Sequence, residues 1–162
     1  MKYLFTFLIT FIALTSKAQT VGYTYKPLAA EGCSMRYSIS KQDTIYYIIA
    51  TVESDRLKFL KESTMMIRTF DDEVIKLEGA LIDNDTQSVG IMSGNIMIPV
   101  PVISSTAQFI VTPSQLKSLK AGIAKVRLST IPITHERSFK KDKIGGKLYE
   151  FYLKEKNKDD SF

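Results

Sequence analysis

Alternation of apolar and polar residues governs most of this chain, and it predicts a protein built mainly from strands. "VGYTYKP" sets Val21, Tyr23 and Tyr25 on one side of a short strand that Pro27 ends. "MRYSIS" does the same with Met35, Tyr37 and Ile39. "TIYYIIATVES", residues 44–54, is β-branched and aromatic with apolar residues on both faces, as a central strand requires. "SDRLKFLKES" suits either a short helix or an edge connection. "STMMIRTF" and "EVIKLEGALI" flank Asp71 and Asp72 and read as a hairpin turning on that acidic pair, with Ile75 and Leu77 opposite Lys76 and Glu78.

Beyond the hairpin, "DNDTQSVGIMSGN" has the composition of a loop. "IMIPVPV" returns to strand character, but Pro99 and Pro101 each lack a backbone donor and assign it to an edge or a bulge. "TAQFIV" then places Ala107, Phe109 and Val111 on one face. Thr112, Pro113 and Gln115 make a capping box with proline at the first helical position, so a helix starts there. Leu116 and Leu119 form its apolar side and Gly122 stops it. "IAKVRLSTI" follows as a strand with Val126 and Leu128 inward, Lys125 and Arg127 outward.

At the C-terminal end, Ile144, Leu148, Phe151 and Tyr152 have the spacing of an amphipathic helix opening near Asp142. "KLYEFYL" also admits a strand, although the spacing favours the helix. The fold class expected is α+β, mainly antiparallel β: a sheet or sandwich of about seven strands with one short helix and a C-terminal helix. Residues 19–155 form a single domain, and residues 156–162 a flexible tail.

The first residues change the picture of where this domain resides. "MKYLFTFLITFIALTSKAQT" has one positive charge at Lys2, an apolar run from Tyr3 to Leu14, and small residues at Ser16 and Ala18. That order of parts predicts a secretory signal peptide over residues 1–18, cut between Ala18 and Gln19. The run is far shorter than the roughly 20 residues a spanning helix needs, so no transmembrane segment is expected in the mature chain. The expected location is periplasmic or extracellular.

Charge and cysteine content narrow the classes further. The formal net charge of +5 falls by two when Lys2 and Lys17 leave with the signal. Acids and bases are interspersed, and no basic stripe of the kind nucleic acid requires is present. Cys33 is the single cysteine, so no intrachain disulfide can form and an apolar core must hold the fold. A lipid-anchor cysteine would follow directly on the signal's apolar run, whereas Cys33 lies well beyond Leu14.

Candidate chemistry is sparse. His135 is the only histidine; Phe139 stands where a zinc-protease helix needs its second, and a surface loop is the expectation for His135. Cys33 and His135 are the minimum parts of a thiol nucleophile and base, without the surrounding motif of either. "DNDTQS" begins like a calcium loop but has Ser88 and Gly94 where that loop needs glycine and glutamate. No phosphate-binding glycine pattern occurs. No catalytic, metal or cofactor residue is assigned. Two surfaces are candidates for binding: a basic patch of Lys117, Lys120, Lys125 and Arg127, and an aromatic groove of Tyr23, Tyr25, Tyr46 and Tyr47.

In the signal ending "SKAQ", the strand "MMIRTFDDEVIKL" and the unit "AQFIVTPSQLKSLKAGIAKVRL", the chain resembles small exported proteins of unknown function typical of Bacteroidetes-type bacteria. The resemblance implies a periplasmic or surface β-rich domain and carries no catalytic residues. The expected function is that of an exported non-enzymatic binding or structural accessory domain of the bacterial envelope, its partner an envelope protein, a peptide or a glycan. Two alternatives are a hydrolase acting on envelope or dietary polymers, and a peptide or protein binder that works by strand addition.

Overall fold

The structure is a computed structural model that describes residues 19–25 and 33–159. The expected signal, the Pro27 strand end and the last three residues of the expected tail lie outside the described residues.

One antiparallel sheet of eight strands dominates the fold. β1 (Val21–Tyr25) and β2 (Cys33–Gln42) pair at one edge, and β2 pairs with β3 (Ile45–Ser54). The short β4 (Lys58–Phe59) leads to β5 (Glu62–Thr69), β6 (Val74–Ser93) and β7 (Ile96–Val111). A six-residue helix, α1 (Pro113–Ser118), and a 3-10 turn (Leu119–Ala121) precede β8 (Ile123–Leu128), β9 (Thr130–Ile131), β10 (His135–Ser138) and the C-terminal helix α2 (Gly145–Asp159). The strand order across the sheet is β1-β2-β3-β7-β6-β5-β8-β10, with β4 and β9 paired separately.

The sheet curls until its two edge strands meet through side chains: the rings of Tyr23 on β1 and Phe139, just past β10, lie 5.1 Å apart edge to face. The period of two sorts most of the sheet into inward and outward residues. Met35 and Tyr37, Ile48, Ala50 and Val52, Met65 and Ile67, Phe109, and Val126 and Leu128 all point inward and are buried. Each such large side chain contributes about 1.5–3 kcal/mol on leaving water. β4 crosses inside the curl, where Phe59 meets Phe109 edge to face and its N–H donates to the Ser105 hydroxyl.

Helices close one end of the curl. Thr112 caps α1 as the sequence predicts, exchanging hydrogen bonds with Gln115, and Gly122 ends the turn at φ +82°, a conformation that favours glycine. Asp142 starts α2: its carboxylate accepts from the N–H groups of Ile144, Gly145 and Gly146, and also from Ile123 on β8. A side chain at Gly145 would collide with the Gly122–Ile123 backbone, so glycine permits this close approach of helix to strand. Ile144, Leu148 and Tyr152 then bury one face of α2, with Tyr152 edge-on to Tyr46.

Three features differ from the sequence-based expectations. Residues 83–93, read as loop, continue β6, and the turn is confined to Gly94 and Asn95. Their polar composition is overridden by pairing with β7. The β5–β6 connection spans residues 70–73 rather than the acidic pair alone, with Asp72 left-handed at φ +64°. Lys156 to Asp159, assigned to the tail, continue α2.

Candidate functional site

Opposite the helical end, β6 and β7 run past their neighbours. β5 pairs with β6 only to Ala80, and β3 pairs with β7 only from Ile103 onward. From Gln87↔Val102 to Ser93↔Ile96 the two strands therefore form a free two-stranded arm. Val89, Ile91, Met92, Ile96, Met97 and Ile98 on this arm are between 38% and 68% exposed. Large apolar side chains concentrated on one solvent-facing ribbon mark an association surface.

At its root the arm overhangs the ends of β1, β2 and β3 and encloses a cleft of about 460 Å³. Val89, Ile91, Val100 and Val102 supply an apolar wall. The facing rim is polar and carries Thr24, Ser34, Glu53 and Asp55, with Tyr25 and Cys33 at its inner side. Both rim carboxylates are already matched: Glu53 pairs with Arg36, and Asp55 with Arg56 at 2.6 Å. The Arg56 hydrogen bond holds the Asp55 carboxyl below its ordinary range. A sugar-hydrolysing pair needs one carboxyl kept protonated near neutral pH, and Asp55 is biased the other way.

Behind Tyr25 lies a buried polar cluster. The Tyr23 hydroxyl sits 3.0 Å from the Tyr37 hydroxyl and 2.9 Å from Nε2 of His135. The His135 ring stacks on Tyr23 and meets Tyr25 edge-on at 5.2 Å, while the Arg137 guanidinium lies over the Tyr25 ring, 5.0 Å from its centre. His135 is therefore no surface loop residue. It lies on β10 and is 1% exposed, because pairing with β8 turns it inward. Burial, reinforced by the Arg137 charge, lowers its pKa to about 4, so the ring is neutral at pH 7. Burial raises both tyrosine hydroxyls.

The neutral ring has a preferred tautomer. With the proton on Nδ1, Tyr23 donates to Nε2 and Tyr37 donates to Tyr23, leaving only the Nδ1 donor unpaired; the other tautomer strands the Tyr37 donor as well as Nδ1. Cys33 gains nothing from this histidine. Nε2 is committed to Tyr23, and burial pushes the Cys33 thiol up, away from the nucleophilic thiolate.

The residues singled out from sequence are distributed as follows. Lys117 and Lys120 border an open depression with Asp71 and Glu73 beside the 3-10 turn. Lys125 and Arg127 lie on the outer face of β8, and both pair with Glu136 of β10, at 2.6 Å and 2.5 Å. The four cations thus fall on two separate surfaces, and one pair of them shares the single carboxylate of Glu136. Tyr23 and Tyr25 join the interior cluster, Tyr46 is buried against α2, and Tyr47 faces outward from β3, so the four tyrosines form no common groove. The acids of "DNDTQS" sit on β6 ahead of the arm, and among the described residues no group of three or more His, Cys, Asp and Glu is placed to hold a metal. Ala18 lies outside the described residues, and Gln19 accepts a hydrogen bond from Lys154 of α2.

Sequence reasoning missed the cluster and the cleft. His135, Arg137 and Phe139 alternate along "HERSF", the period of a strand, which was the available signal for the inward histidine. The cleft had none, since it depends on where β5 and β3 stop pairing. No family model, curated protein or solved structure matches this chain. Among the described residues no helix is long and apolar enough to cross a membrane.

Proposed function

We propose that this chain is an exported, non-enzymatic binding module of the bacterial envelope that takes an amphipathic, extended peptide segment into the cleft under the β6–β7 arm. The leader-like first residues support export. The observation that carries the binding reading is the two-sided cleft itself, with an apolar wall of Val89, Ile91, Val100 and Val102 against a polar rim of Thr24 and Ser34 whose carboxylates are charge-matched. Apolar side chains of a ligand would meet the wall and hydroxyl or amide groups the rim, the usual division of labour in a ligand site. Cys33 and His135 do not support an enzyme reading: burial pushes the thiol up, away from the thiolate, and the histidine is bound to Tyr23.

The test is a panel of uncharged peptides with alternating apolar and polar residues, measured by fluorescence polarisation. Ser34→Trp fills the cleft from the rim and leaves the residues of the arm unchanged. Binding to the unmodified protein that weakens tenfold or more in this variant supports the proposal. Binding that the variant leaves unchanged, or cleavage of the peptides, refutes it.

A further inference from the structure

The arm has two long backbone edges, and they are not equivalent. Pro99 and Pro101 pair opposite Gly90 and Ser88. A proline cannot donate into the ladder, so these are the pairs whose backbone groups face away from the partner strand. On the β7 side of the arm the outward donors are therefore missing at residues 99 and 101. On the β6 side, Thr86, Ser88, Gly90 and Met92 share the same outward phase, and each keeps its N–H and C=O. Among the described residues no strand pairs with that edge.

We propose that the β6 edge of the arm pairs antiparallel with the β6 edge of a second copy of this chain, forming a closed twofold dimer. The inference is independent of the cleft reading, since the cleft opens on a face of the arm and the pairing uses its edge. Three observations select the partner. First, the chain has no charged residue from Thr86 to Leu116, so two arms approach without repulsion. A twofold axis at Gly90 sets Val89 against Ile91 of the second copy and Ser88 against its Met92, all uncharged. Second, a strand satisfies the open backbone groups, whereas a lipid surface would bury them unpaired. Third, only one edge is usable. With both edges open, pairing would propagate from copy to copy; with the β7 edge blocked by two prolines, it stops at two.

The experiment is sedimentation velocity on purified protein covering residues 19–162, which contains every contact described above. The expected result is a species of twice the chain mass that dissociates on dilution. Ser88→Pro removes an outward donor at a position already opposite Pro101, so the hairpin ladder keeps its own bonds; it should weaken the dimer tenfold or more with unchanged circular dichroism. Replacing Pro99 and Pro101 together by valine restores donors to the second edge and should give species larger than dimers. The proposal is overturned by a monomer at about 100 μM. It is equally overturned by a dimer that Ser88→Pro leaves intact, or by a monomer whose arm instead binds neutral phosphatidylcholine vesicles.

Discussion

The Tyr23 hydroxyl lies 2.9 Å from Nε2 of His135, and this hydrogen bond ties the first strand of the curled sheet to the last across 112 residues of sequence. β1 and β10 share no backbone ladder. Their junction is therefore made of side chains, with Tyr37, Phe139 and Arg137 gathered around the same pair.

Tyr23→Phe keeps the ring packing and removes the hydroxyl at the centre of this junction. The Tyr37 hydroxyl and His135 Nε2 both lose their partner while buried, and each unmet group costs about 1–3 kcal/mol. Urea unfolding should show a loss of about 2–4 kcal/mol with an unchanged slope against denaturant. A loss below about 0.5 kcal/mol would mean that water replaces the hydroxyl at no cost.

The junction also makes stability depend on pH. His135 titrates at about 4 in the folded chain, against 6.5 for an unhindered histidine. Above 6.5 neither state is protonated and the residue contributes no pH dependence. Between 6.5 and about 4 the unfolded chain binds a proton that the folded chain refuses, so stability falls as pH falls, by about 3 kcal/mol in all. Chemical denaturation at pH 7 and pH 4.5 should show this fall. In His135→Gln the difference between the two pH values should shrink by most of that amount.

Asp142 joins α2 to β8 by accepting four backbone N–H bonds. Partial burial pushes its carboxyl up, but the four donors outweigh this and hold it below the ordinary carboxylate range. Asp142→Ala removes a helix cap together with the Ile123 bond and should cost about 2 kcal/mol. Amide exchange should rise first in Ile123 and in residues 144–146. Equal protection in the variant would show that α2 is held by Ile144, Leu148 and Tyr152 alone.

What could be read from sequence was local. The Thr112–Gln115 box, the stop at Gly122, the inward residues of β7 and β8, and the apolar stripe of α2 depend on neighbours within a few residues, and the structure has them where the pattern puts them. The mainly antiparallel β class follows from the same alternation. What escaped depends on distant pairing. Asp83 to Ser88 have turn-like composition, yet β7 holds them in register as strand. His135 is buried because pairing with β8 turns it inward and the curl of the sheet brings β1 against it. Tyr46 and Tyr47 fall on opposite faces, a consequence of the period of two that the aromatic-groove reading set aside.

The central claim is that the cleft beneath the arm receives a peptide. Its most direct measurement is backbone amide chemical-shift mapping of the protein as a binding peptide from the alternating panel is added. The account predicts that the largest shifts fall on Thr24, Ser34, Val89, Val100 and Val102, the two walls of the cleft. Shifts centred on Lys117 and Lys120, or on the outer face of β8, would contradict it.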